Sequence, residues 1–165
     1  MKSEGIIISD FLASAREMSK MYFNLLRETD INRRFKSEEG IELNSAFWVI
    51  AHLAVTQNFL VLRCSGGPKI TIPWARDYGL GSTGNSTESA PPFEEVWETF
   101  KMVHKTCLEW VSGLSDEQLN APTINGFNFM TDGSIRSAIM HAVRHEGLHT
   151  GHLSWICKMN GIQTI

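Results

Sequence analysis

The sequence predicts an all-α protein: a four-helix bundle with a long loop between helices 2 and 3. Four segments of about twenty residues repeat apolar side chains at the helical period of about 3.6 residues. No segment alternates apolar and polar residues as a half-buried strand does, and the sequence has no internal repeat. With 165 residues, the chain can bury a core of its own. We therefore expect residues 1–165 to form a single bundle domain.

Composition and charge argue against several classes of partner. The chain is 42% hydrophobic and 20% charged, and its net charge of −3 supplies no basic surface for nucleic acid or an anionic membrane. The apolar run near the N-terminus is too short for a secretion signal, and the most apolar stretch, residues 46–55, is half the length of a membrane span. Three widely spaced cysteines without a CxxC pair favour a reducing compartment. We expect a cytoplasmic protein with neither nucleic acid nor membrane as a partner.

The first helical segment has a polar cap and one apolar face. Ser9 or Asp10 can cap its N-terminus, and the charged connector 27–40 ends it. Residues three and four apart lie on the same side of a helix, so the apolar residues at that spacing define the predicted buried face. They are Phe11, Ala15, Met18, Tyr22 and Leu25.

The second segment is the most apolar, and it leads into the long loop. It opens at Asn44 or Ser45 and stops at the helix-breaking residues 66–68. Residues 65–92 form one irregular stretch that is rich in Gly, Ser, Thr and Pro. Because long loops in bundles are often functional, this one is a candidate lid or interface. The predicted buried stripe of the second segment comprises Trp48, His52, Val55, Phe59 and Leu62.

The C-terminal half predicts the remaining two helices. The third helix begins after Pro91-Pro92, and residues 115–119 can add one further turn. The last helix begins near Ser134 and runs to about Met159, with Gly161 as a stop signal. The buried face of the third helix is predicted to carry Phe93, Val96, Trp97, Phe100, Val103, Cys107, Trp110 and Leu114.

Four of the six histidines crowd onto the last predicted helix, at His141, His145, His149 and His152. At about 100° per residue, the other three fall within about 40° of His145, so all four share one face. Leu148 and Ile156 extend this stripe, and we therefore expect it to face the core. Neighbouring imidazoles that face a core need hydrogen-bond partners or a metal ion.

His52 supplies a third nitrogen for a candidate metal site. An i, i+4 pair on one helix, His145 and His149, and a histidine on a facing helix can close a three-nitrogen site that leaves positions open for water or substrate. In such a site, His141 and His152 orient the ligands or line the opening. The alternative is that the histidines are structural and bond to their neighbours. We place His104 at the rim of the bundle, outside the site.

The stretch HEGLH (145–149) matches the HExxH pattern of zinc proteases, in which the glutamate is a general base. Any helix gives a glutamate at this position the same geometry, and so loose a pattern recurs by chance. A protease also needs a strand to hold its peptide substrate, and the sequence predicts none. Glu146 therefore remains, with His141 and His152, a candidate for moving a proton, and the sequence does not rank the three.

Three features together resemble the DinB-like (YfiT-like) family of metal-binding bundles: a mid-helix histidine in an apolar second helix, the glycine-rich loop YGLGST (78–83), and HExxHxG near the C-terminus. The resemblance spans nearly the whole chain. It implies a four-helix bundle, often dimeric, in which His52, His145 and His149 hold a divalent metal ion. Family members commonly have Gln where this chain has His152, which leaves the coordination number open.

The resemblance implies a metal site more firmly than it implies a reaction. Characterised relatives include thiol S-transferases and a thiol-dependent isomerase, and others are described as metal-dependent hydrolases. We therefore expect a divalent metal ion, with Zn or Ni leading, and a small-molecule substrate. The leading hypothesis is transfer of a low-molecular-weight thiol to an electrophile; the alternatives are metal-dependent hydrolysis and a non-enzymatic metal-binding module. Trp74, Arg76 and Tyr78 are candidates for substrate contact or packing.

The resemblance also implies a homodimer. Five tryptophans, more than one small core usually needs, agree with an apolar interface between two copies. We expect the two copies to meet through helix faces, with help from the 65–92 loop.

Overall fold

The computed structural model describes residues 2–82, 90–128 and 132–164, and in these ranges the chain is all-α. This confirms the predicted fold class. The predicted count of four helices is not confirmed, because the described residues form five α-helices. They are α1 (Glu4–Leu26), α2 (Ala46–Gln57), α3 (Phe93–Ser112), α4 (Asp116–Asn120) and α5 (Ile135–Met159).

The four long helices surround a common apolar core. α1 and α2 each pack against both α3 and α5, and the short α4 packs against α5 and α1. Each long helix contributes side chains that are completely buried, among them Phe23, Ile50, Phe100 and Ile139. This arrangement turns one face of α2 toward one face of α5, which is where the histidines lie.

The buried face of α1 differs from the predicted one. The helix begins at Glu4, earlier than predicted, because the Ser3 hydroxyl accepts a backbone hydrogen bond from the first turn and caps it. Phe11, Met18 and Leu25 of the predicted face are 56%, 40% and 43% exposed. The face that does meet the core includes three polar residues, whereas the predicted face was chosen for its apolar side chains. The core-facing residues are Gly5, Ile8, Ser9, Leu12, Arg16, Ser19, Tyr22, Phe23 and Leu26.

α2 continues directly into a π-helical segment, Asn58–Arg63. The helix begins at one of the two predicted caps, where the Ser45 hydroxyl accepts a hydrogen bond from the Trp48 amide at 3.2 Å. By length and composition, residues 46–63 could cross a membrane, but 78% of this segment is buried inside the protein. Such burial is expected of the central helix of a globular fold.

α3, α4 and α5 lie where the sequence places them. α3 begins directly after Pro92, and the Ser115 and Gln118 side chains form a capping box at the start of α4. The Ser134 hydroxyl caps α5, which ends at Met159. These boundaries are governed by local capping chemistry, which explains why the sequence predicts them well.

Part of the predicted long loop, residues 65–92, packs against the helices. Ala75–Tyr78 forms a single 3₁₀-helical turn, and the Trp74 and Tyr78 side chains are 5% and 3% exposed. The Trp74 indole donates a hydrogen bond to a carboxylate of α3 at 2.9 Å. Residues 83–89, which include the end of the glycine-rich motif, lie outside the described residues.

Candidate metal centre

The facing sides of α2 and α5 bring three imidazoles together. His52 comes from α2, and His145 and His149 come from consecutive turns of α5. One ring nitrogen of each lies within 4.8 Å of the others, and the Nε2 atoms of His52 and His145 are 3.1 Å apart. Nitrogens that share a tetrahedral zinc ion lie about 3.3 Å apart, because each Zn–N bond is about 2.0–2.1 Å long. The cluster therefore has the donor type and the spacing of a metal site.

The ring of His52 is fixed from two sides. Its Nδ1 lies 2.7 Å from the backbone carbonyl of Tyr78. Because a carbonyl only accepts, Nδ1 is the protonated nitrogen, and Nε2 keeps a lone pair that faces His145. Trp48, one turn earlier in α2, stacks on the imidazole with ring centroids 4.4 Å apart and 13° between the planes. Metal-binding histidines are commonly oriented in this way, by a hydrogen bond from the nitrogen that does not bind the metal.

His152 contacts the cluster through His149. The two Nδ1 atoms are 3.2 Å apart, so one ring donates a hydrogen bond to the other. When Nδ1 of His149 is the donor in this bond, its Nε2 keeps the lone pair that binds a metal. His152 is exposed, and in the described ranges the group of close potential ligands contains three side chains without it. Three protein ligands leave coordination positions open, as catalytic zinc sites do and structural ones do not.

Burial keeps these imidazoles neutral. Desolvation, reinforced by the neighbouring imidazoles, lowers the pKa of His145 to about 3 and the pKa of His149 to about 2. Burial also lowers the pKa of His52, and the hydrogen bond to the Tyr78 carbonyl offsets part of that effect. The neutral ring is the form that binds metal ions, so the cluster is ready for a metal at neutral pH.

The indole N–H of Trp48 is an unpaired donor on a ring that contacts the histidine cluster. Its indole nitrogen is buried and has no acceptor among the residues that the structure describes. The ring centroid lies 6.0 Å from that of His149 as well as stacking on His52. A buried indole N–H normally has a partner.

Glu146 does not belong to the cluster. Its carboxylate accepts two hydrogen bonds from Arg16, at 2.8 Å from Nε and 2.9 Å from Nη2, and the residue is 3% exposed. Since about 100° separates successive residues of a helix, Glu146 faces the core while its neighbour His145 faces α2. The structure therefore places the Glu146 carboxylate against Arg16 and away from the cluster, and its role as one of three candidates for moving a proton stays a prediction.

His141 and Leu148 are two further residues of α5 for which the sequence predicts a position. His141 is partly buried, with its ring centroid 6.0 Å from that of His145 and its Nδ1 3.3 Å from a guanidinium nitrogen of Arg144. It therefore borders the cluster, as the other candidate His152 does. Leu148, predicted to extend the inward stripe, is 59% exposed, whereas Ile156 is buried. The inward face of α5 is thus narrower than the sequence pattern suggests.

His104 lies on α3 and is partly buried. Its Nδ1 lies 3.3 Å from the side-chain oxygen of Gln57, a residue that is 4% exposed. Burial first, and then the positive charges of Arg16 and Lys20, lower the pKa of His104 to about 3. This histidine is a partly buried neutral group on α3, outside the cluster of His52, His145 and His149.

Sequence reasoning missed the groups that hold the cluster in place. The Tyr78 carbonyl has no signature, because every residue carries one. Trp48 appears in the sequence only as one more apolar residue of the second helix, although its position four residues before His52 does predict a contact. Arg16 had a visible signal, since an arginine between core residues needs a buried partner.

The fold and this cluster define a class: a helical protein with a candidate metal centre between two of its long helices. A family model described as the DinB superfamily matches residues 12–153, and the chain belongs to that superfamily. The matched region includes all three histidines of the cluster. No match to the chain was found among curated proteins.

Proposed function

We propose that this chain is a divalent-metal-dependent enzyme that transfers a low-molecular-weight thiol to a small electrophilic substrate. The observation that carries the proposal is the three-nitrogen cluster of His52, His145 and His149, to which His152 bonds from outside. Three neutral imidazoles suit Zn or Ni. Membership of the DinB superfamily supports a metal-binding protein.

The residues around the cluster suit an open coordination position. A divalent ion held there would lower the pKa of a thiol or a water molecule and so supply an anionic nucleophile near pH 7. The Tyr78 carbonyl fixes the tautomer of His52, and the Thr56 hydroxyl lies 3.3 Å from its Nε2. The unpaired indole N–H of Trp48 offers a hydrogen bond to an acceptor atom of the substrate. Together these groups bind and orient a small molecule.

The open position also favours an enzyme over a non-enzymatic module. A metal that only fastens helices together is usually enclosed by four protein ligands. Here the fourth histidine of the row is exposed and engages His149 instead. Water can occupy the same position as a thiol, so hydrolysis is the competing reaction that an assay must separate.

A panel of electrophiles and esters, assayed with and without thiols, tests the reaction class. A transferase should consume an electrophile only when thiol, metal and His149 are all present. The variant His149→Ala should lose turnover, and His104→Gln, which changes a histidine outside the cluster, should keep it. Turnover that needs no thiol would contradict the transferase and favour a hydrolase. No turnover of any compound in the panel would favour the non-enzymatic metal-binding module.

We also propose that the protein is a homodimer joined through α1. Ile7, Phe11, Met18 and Leu25 are all exposed, and they follow one another at spacings of four, seven and seven residues. Such spacings keep side chains on one side of a helix and suit packing against a second helix. A two-fold axis beside α1 would pair this stripe with its own copy.

The proposal also covers the arrangement of the helices and the cellular location. The ring of α1, α2, α3 and α5 is proposed as the four-helix bundle of the family, with α4 as an addition. A cytoplasmic location is proposed from the cysteines, because all three are buried and free of disulfide bonds.

A further inference from the structure

A second candidate site lies against the π-helical segment Asn58–Arg63. A cavity of about 720 Å³ is bounded by this segment, by the glycine-rich chain after it and by Ile124 and Asn125. None of the histidines lines it. Its size lies in the range of about 300–1,000 Å³ that is typical of small-molecule sites. π-helical turns are rare and occur frequently at functional sites.

The walls of this cavity are tied together by specific contacts. The Ile124 amide donates to the Cys64 carbonyl at 3.0 Å, and the Asn125 side chain donates to the Cys64 sulfur at 3.4 Å. Gly67 lies so close to α3 that a Cβ there would be 3.0 Å from the indole nitrogen of Trp110. A side chain at residue 67 would therefore require the Trp110 and Leu62 side chains to shift. The cavity is therefore a built feature of the fold.

Two cations line the cavity without a counter-charge. Arg63 and Lys69 are both exposed, and neither has a carboxylate within 4 Å in the described parts of the chain. No aspartate or glutamate belongs to the lining. Two cations that line one cavity without acidic neighbours favour an anionic ligand, and a guanidinium suits the two oxygens of a carboxylate.

Asn58 adds an unpaired acceptor to the same cavity. The residue is 6% exposed, and its side-chain nitrogen donates to the Ile70 carbonyl at 3.1 Å. That bond fixes the orientation of the amide, because the carbonyl of Ile70 can only accept. The side-chain oxygen is buried and has no donor among the described residues. Leaving a buried acceptor unpaired costs about 1–3 kcal/mol, so a ligand with an N–H donor would gain that interaction.

We propose that this cavity binds a small carboxylate that carries an amide or amine N–H and an apolar side chain, as an N-acylated amino acid does. Arg63 and Lys69 hold the carboxylate, and the oxygen of Asn58 accepts the N–H. The apolar part packs against Leu62 and Ile70, which also line the cavity. The site uses none of the three clustered histidines, so it stands whether or not they bind a metal.

Calorimetric titration of the full chain with N-acetyl-L-leucine tests the proposal, with two analogues that each lack one group. The probe should bind at one saturable site. 4-Methylpentanoate has the carboxylate but no N–H, and N-acetyl-L-leucinamide has the N–H but no carboxylate. The affinity of each analogue should be lower by about tenfold or more, because each lacks one group that hydrogen-bonds to the protein. Equal binding of an analogue would overturn the role assigned to the missing group.

Variants then locate the site. Arg63→Met and Lys69→Met should each weaken probe binding about tenfold. Because both side chains are exposed, neither substitution should prevent folding. Lys105→Met removes an exposed cation that does not line the cavity and should leave affinity unchanged. Asn58→Leu should bind the probe and 4-methylpentanoate equally. Absence of saturable binding, or cation variants that both bind the probe as tightly as the natural protein, would overturn the proposal. Inorganic phosphate binding as tightly as the probe would overturn the choice of ligand.

Discussion

Arg16 and Glu146 form a two-pronged ion pair inside the protein, with N–O distances of 2.8 and 2.9 Å and side chains that are 1% and 4% exposed. The same guanidinium donates to the Gln57 side chain at 2.9 Å and to the Phe100 carbonyl at 3.1 Å. These partners lie on α5, α2 and α3, and Arg16 lies on α1. One side chain thus joins all four long helices and sets the rotation of α5 that turns His145 toward α2.

Replacing Glu146 should destabilise the fold without removing the metal site. Glu146→Gln leaves the buried guanidinium without its counter-charge, for which we expect a loss of about 3–5 kcal/mol in the free energy of unfolding, measured in urea. Glu17→Gln, an exposed neighbour of Arg16 that pairs with Lys20, should change stability by less than about 0.5 kcal/mol. An unchanged unfolding midpoint in Glu146→Gln would contradict the structural role.

A paired replacement distinguishes the ion pair from simple loss of packing. The double variant Arg16→Met with Glu146→Leu removes both charges and keeps apolar volume, so it should recover much of the stability that Glu146→Gln loses. If the double variant is less stable than the single one, packing rather than charge compensation controls this position.

His152 should tune metal affinity without being a ligand. Its Nδ1 lies 3.2 Å from Nδ1 of His149, so His152→Ala frees the ring of His149 and should weaken metal binding about 10–100-fold. His152→Gln keeps an acceptor and should bind nearly as well as the natural protein. His141→Ala is the matched control on the same helix. Complete loss of stoichiometric metal in His152→Ala would show instead that this residue is a ligand.

The partly buried His104 should make the fold less stable in acid. Its pKa is lowered to about 3 because it is desolvated and faces the positive charges of Arg16 and Lys20, whereas the unfolded chain has the ordinary value near 6.5. The unfolded state therefore takes up a proton first. Stability is fully present above pH 6.5 and falls as the pH drops from about 6.5 toward 3, by about 1–2 kcal/mol at pH 5 from this one group.

The comparison variant for this pH dependence is His104→Gln. Its urea midpoint should fall less between pH 7.5 and pH 5 than that of the natural protein, since the clustered histidines contribute equally to both. Curves that stay parallel across this range would mean that His104 is protonated in the folded state or does not differ from the unfolded chain.

The outer stripe of α1 should control assembly. Phe11→Glu combined with Met18→Glu places like charges on an apolar contact, and the homodimer should dissociate into monomers by light scattering. Asn24→Glu, also exposed on α1 but about 100° away from the stripe, should leave the dimer intact. A monomeric natural protein at high concentration would contradict the proposed assembly.

The sequence predicts those features that depend on local chemistry. Ser45, Ser115 and Ser134 cap helices at the predicted starts, and the i, i+4 spacing of His145 and His149 already places both rings on one face. These signals are contained in short segments, so tertiary structure does not override them.

Features that depend on packing between distant segments were predicted less well. The face of α1 was misassigned because a buried ion pair between Arg16 and Glu146, 130 residues apart, replaces apolar contacts there. The contact of His104 with Gln57 was not predicted, because the two residues lie on different helices. The hydrogen bond from His52 to the Tyr78 carbonyl depends on the path of a loop, for which residue types give no signal.

Metal content per chain tests the central claim most directly. After loading with Zn(II) or Ni(II) and dialysis, elemental analysis should find one ion per natural chain and none in His52→Ala, His145→Ala or His149→Ala, with His141→Ala as the control that retains it. The metal should also raise the melting temperature of the natural protein and leave that of the three variants unchanged, because a ligand stabilises the fold only where it binds. One ion per chain in folded His52→Ala and His145→Ala would contradict the three-histidine site.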